Sequence, residues 1–80
     1  MSLIKKEQEF IKKLGERIVL LRKEKKLKQI DLATKVNIED SALRRIESGR
    51  TNPTIKTLLR IAEGLEVVFL DLFEFPSSPK

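Results

Sequence analysis

Apolar residues recur along the first third of the chain at helical intervals. Phe10, Leu14, Ile18 and Leu21 step by three or four, with Ile11 beside them. That spacing predicts a helix running to about Lys25, and "RKEKK" places cations where they favour the helix dipole. A shorter segment, "KQIDLATKV", has one apolar face in Leu32, Ala33 and Val36, and Asn37 can close it in a left-handed conformation. In "EDSALRRIESG" the inner face is Leu43 and Ile46, and Gly49 ends the helix. After the loop "RTNP", Thr54 can cap a fourth helix with Ile55, Leu58, Leu59 and Ala62 inward. "LEVVFLDLFEF" predicts a short fifth helix from about Phe69, and "PSSPK" a flexible tail. The pattern therefore predicts a compact all-α domain of five helices over residues 1–75, with 76–80 as the tail.

Composition narrows the chemistry. The 80 residues contain no Cys and no His, which leaves no disulfide, no thiolate or imidazole metal site and no thiol or imidazole catalyst. Paired acids occur at Glu39 and Asp40, but helix capping accounts for them, and no phosphate-cradling glycine loop is present. The reading is a protein that is not an enzyme and needs no cofactor. No apolar run approaches the roughly 20 residues needed to span a bilayer, and "MSLIKKEQEF" lacks the apolar core of a signal peptide. Together these point to the cytoplasm. Net charge is +5, concentrated in residues 1–35, where 11 Lys or Arg face 5 Asp or Glu. Residues 51–80 carry 3 against 4. A basic amino-terminal half suits a nucleic-acid or other anionic partner.

Helical rotation sorts the mixed charges of residues 39–49. Successive side chains turn by about 100°. With Leu43 and Ile46 inward, Ser41, Arg44, Arg45 and Ser48 point away from the core. Asp40 lies on one flank, and Glu39 and Glu47 lie nearer the buried side. Carboxylates at a helix start satisfy free N–H groups and favour the dipole, so Glu39 and Asp40 are expected to cap. An exposed Ser-x-x-Arg-Arg-x-x-Ser face suits a DNA groove, because Arg can grip a guanine edge and Ser can bond bases or phosphates. Two short helices joined by a tight turn, the second carrying this face, form a helix-turn-helix arrangement.

At this point the chain resembles a known family. "LRKEKKLKQIDLA", "IESGRTNPTIKTLLRIAEGLEV" and a closing "DLF" make residues 14–73 similar to the Cro/C1-type, or XRE, helix-turn-helix proteins. The resemblance implies a lambda-repressor-like fold and binding to a double-stranded DNA operator. It implies that Gln29 binds backbone phosphate and braces the recognition helix. Asp40, Ser41, Arg44 and Arg45 fall at positions that read bases or grip phosphates, and Arg50 and Asn52 in the loop that follows the backbone. It further implies that Arg22 and Glu47 form a pair bridging the first and third helices. Several positions depart from the family pattern. At Asp40 a carboxylate is repelled by phosphate but can accept a hydrogen bond from a cytosine amino group, so a cap or specificity role is expected over a phosphate contact. Lys28 and Glu39 replace hydroxyl caps, and Lys28 is expected to bind phosphate instead. Asn37 and Glu66 replace glycines.

The carboxy-terminal segment carries a different signal. Val67, Phe69, Leu72 and Phe73 are expected to close the core, which leaves Val68 and Leu70 outside at positions where the family is usually polar, with Phe75 joining them. An apolar patch on a small protein suggests a partner surface. The leading expectation is a homodimeric transcriptional regulator whose Val68, Leu70 and Phe75 form the dimer interface. Its short chain, "GLEV" and apolar ending also resemble restriction–modification controller proteins. The alternative is an antitoxin-type or other protein-interaction module that uses the same patch on a protein partner.

Overall fold

The computed structural model describes residues 3–75, and the tail expected at 76–80 lies outside the described residues. Helix α1 spans Leu3–Glu24, α2 Gln29–Lys35, α3 Asp40–Glu47 and α4 Ile55–Leu65. The chain closes with the short fifth helix that the sequence pattern predicted from about Phe69, wound as a 3₁₀ helix over Phe69–Phe73. Five residues give an α-helix little room for its i→i+4 bonds, and the tighter winding is typical of such short runs.

Helix α1 begins well before Phe10. Residues 4–9 are mostly strong helix formers without an apolar stripe, so periodicity could not reveal them. The chain then turns through Lys26 at φ 60°, with the Leu27 N–H donating back to the Arg22 carbonyl at 3.1 Å. Asn37 adopts φ 60° after α2, and Gly49 φ 75° after α3. Thr54 caps α4 by accepting a hydrogen bond from the Thr57 N–H at 3.1 Å.

Every element feeds one core. Ile18, Leu32, Leu43, Ile61, Leu65 and Leu72 are fully buried, each contributing about 2 kcal/mol by leaving water. The α4 expectation needs correction. Ile55 and Leu59 are exposed, and the buried face is Leu58, Ile61, Ala62 and Leu65. Leu72 closes the core, with Val67, Phe69 and Phe73 packed partly buried against it.

Helix α1 is the spine on which α3 is set. A Cβ at Gly15 would lie 2.5 Å from the Ile46 carbonyl oxygen and 2.6 Å from that of Glu47. Only hydrogen lets the last turn of α3 approach this closely. Gly15→Ala is therefore expected to destabilise the fold by about 1–3 kcal/mol through overpacking, although helix propensity alone favours Ala by about 1 kcal/mol. Urea unfolding measures the sign, and a stabilised variant would contradict the close approach.

Candidate nucleic-acid interface

Glu47, the last residue of α3, is buried at 7% exposure. A lone carboxylate there would be costly, but this one is well met. Arg22 Nε donates to Oε2 at 2.8 Å and Arg22 Nη2 to Oε1 at 3.0 Å, a bidentate pair. Gln29 Nε2 donates to Oε1 at 2.8 Å. The remaining Arg22 nitrogen, Nη1, donates to the Leu27 carbonyl at 2.9 Å. One carboxylate thus joins α1, the first residue of α2 and the end of α3.

With α3 held this way, Arg44, Arg45 and Ser48 are exposed and Ser41 is half-buried. Ser48 Oγ donates to the Arg45 carbonyl at 3.2 Å, so this hydroxyl also finishes its own helix. Exposed Arg50 and Asn52 follow in the loop, beside a shallow groove shared with Gln8 and Lys12 of α1. Lys28 is exposed at the start of α2. Its ammonium has no acceptor to offer as a cap. Instead its backbone N–H donates to the Asp31 carboxylate at 3.1 Å.

The capping expected of Glu39 and Asp40 needs correction. Glu39 holds the N-cap backbone geometry, yet its side chain makes no capping bond. Glutamate is not among the short side chains that fold back onto the first-turn N–H groups. Asp40 is the first helical residue, and its Oδ2 lies 3.7 Å from Arg44 Nη2, one turn on.

The carboxy-terminal patch divides. Val68 and Leu70 are 69% and 73% exposed. Phe75 is half-buried within the chain, its ring 5.1 Å from Phe10 and 6.4 Å from Phe73. Helix α1 covers Phe75 and leaves the other two outside. Sequence reasoning missed Arg17, whose Nε donates to the Asp71 carbonyl at 2.7 Å. A main-chain acceptor leaves no sequence signal. Ile55 and Leu59, expected to face inward, instead stand exposed one turn apart on α4.

Among the described residues, no group of His, Cys, Asp or Glu gathers to hold a metal ion, and no helix is long and apolar enough to cross a membrane.

Known proteins share this fold. The family model described as Helix-turn-helix matches residues 18–71. The immunity repressor protein of Bacillus phage phi105 is 44% identical over 54 residues, covering 68% of this chain and 38% of that one. The chain spans only 38% and 57% of two phi105 relatives that it matches. Among solved structures, the restriction–modification controller protein C.AhdI of Aeromonas hydrophila superposes with TM-score 0.78 at 30% identity, over 79% of this chain and 96% of that one. The controller C.Esp1396I, solved as a tetramer with its natural 35-base-pair operator, gives TM-score 0.75 at 38% identity, over 81% and 86%.

The carboxylate hub generates a direct test. Glu47→Ala strands the Arg22 guanidinium in a part-buried site and is expected to cost about 3 kcal/mol. Arg22→Ala strands Glu47 and should cost a similar amount. The double variant should lose clearly less than the sum of the two, as read from urea midpoints. Additive losses would show that the two side chains are not coupled.

Proposed function

The chain belongs to the Cro/C1-type (XRE) helix-turn-helix family of DNA-binding transcription regulators, and we propose that it binds a specific operator as a homodimer with α3 in the major groove. The observation that carries this reading is the exposed arginine and serine face of α3, fixed from behind by the Glu47 hub. A recognition helix must present base-reading side chains in a set orientation, and a ligated carboxylate at its end supplies one. The operator complex of C.Esp1396I, a protein 38% identical to this chain, supports the same use of the fold.

On this reading the contacts divide by role. Arg45 and Arg44 reach base edges, with Ser41 and Ser48 beside them. Lys28, Gln29, Arg50 and Asn52 follow the phosphate backbone, where cations give affinity by counterion release and little sequence information. Exposed Val68 and Leu70 supply the two-fold interface, which sets two copies of α3 about 34 Å apart on successive major-groove faces. The protein then acts in the cytoplasm by occupying its operator, without catalysis or a cofactor. The same exposed pair also favours a second reading, an antitoxin-type module whose patch clasps a different protein.

Arg45→Ala is expected to erase the preference for operator over random DNA, whereas Lys28→Ala weakens both about equally. Titrations at one stated salt concentration measure this. Equal losses for Arg45→Ala would remove α3 as the reader. Leu70→Asp is expected to convert a dimer to a monomer in sedimentation and to lower operator affinity. A wild-type monomer that is purified with a second protein would instead favour the module reading.

A further inference from the structure

Asp40 is an awkward residue on a helix that approaches DNA. It makes no cap, its side chain is 47% exposed, and a carboxylate near phosphates is repelled. What accompanies it is Arg44, 58% exposed, with Nη2 3.7 Å from Asp40 Oδ2. Both side chains stand on the same flank in the first turns of α3, the end of a recognition helix that reaches base edges. Arg45 lies on the opposite flank.

Resting on the reading of α3 as the recognition helix, we propose that Asp40 and Arg44 act as one unit that reads a single G·C base pair. The chemistry is a match of patterns. In the major groove a G·C pair presents two acceptors, guanine N7 and O6, followed by one donor, the cytosine N4 amino group. The guanidinium offers two parallel donors and the neighbouring carboxylate one acceptor, in that order. Arg44 takes the guanine edge in bidentate fashion, and Asp40 accepts from cytosine. The other pairs fail this pattern. An A·T pair places its donor between two acceptors, so one arm of the guanidinium meets the adenine amino group. Inverting the pair to C·G sets donor against donor and acceptor against acceptor. Away from a G·C pair, the carboxylate faces only acceptors and phosphates. Asp40 therefore lowers affinity for wrong sites, while the ion pair holds Arg44 in position before contact.

The test is selection of bound sites from random DNA with the full wild-type chain, followed by affinities on the selected site with each base pair replaced in turn. The expected result is one base-pair position per half-site at which G·C is preferred by about tenfold or more. Asp40→Ala and Arg44→Ala should both lose that preference at the same base pair, and Asp40→Ala should bind random DNA more tightly than wild type. Urea unfolding of Asp40→Ala separates a merely structural role, which would shift the midpoint and leave base preference intact. That outcome overturns the proposal, as does loss of preference at two different base pairs. In both cases wild type still selects an operator, so the broader reading stands. A wild-type chain with no sequence preference would remove both.

Discussion

A single desolvated carboxylate organises this molecule. Glu47 accepts three hydrogen bonds, two from Arg22 and one from Gln29, and the three residues sit on three different helices. Pairs of this kind add less stability than their geometry suggests, because removing both charges from water is costly. Their value is orientation. A hydrophobic contact tolerates sliding, whereas a bidentate guanidinium with an amide on the same oxygen fixes both the position and the rotation of α3. The other constraints act at the same place. The bare Cα of Gly15 admits the last turn of α3, and Gly49 brings the following loop so close to Lys12 that a Cβ would lie 2.9 Å from its Cα.

Much of the fold was legible because its signals are local. Asn37, Gly49 and Thr54 each end or start a helix through their own backbone or side-chain chemistry, and the structure places them in those roles. The i,i+3 and i,i+4 spacing of Leu14, Ile18 and Leu21 marked the buried face of α1. What escaped was set by tertiary context. Ile55 and Leu59 are as apolar as Leu58, and only the placement of α4 on its neighbours decides which of them is buried. The closing segment was expected as a short helix from about Phe69, and apolar density does not distinguish α from 3₁₀ winding over five residues.

The candidate interface divides in the same way. Rotation about the α3 axis separated Arg44, Arg45 and Ser48 from the buried side. The resemblance implied the partnership of Arg22 with Glu47, which periodicity alone could not, because the two lie 25 residues apart. Glu39 and Asp40 were misjudged by treating all carboxylates at a helix start alike. Reach decides whether such a group caps, and the nearby Arg44 gives Asp40 an ion-pair partner at 3.7 Å instead.

The clamp between Arg17 and the closing 3₁₀ helix separates two demands on the sequence. Its acceptor is the main-chain carbonyl of Asp71, which exists whatever side chain stands at that position. Anchorage of the segment therefore places little demand on Val68 and Leu70, which point outward. Substitutions at these two positions would change that surface and leave the core beneath in place. One short segment thus combines a main-chain anchor, indifferent to the side chain at that position, with an outer face that the anchor does not dictate.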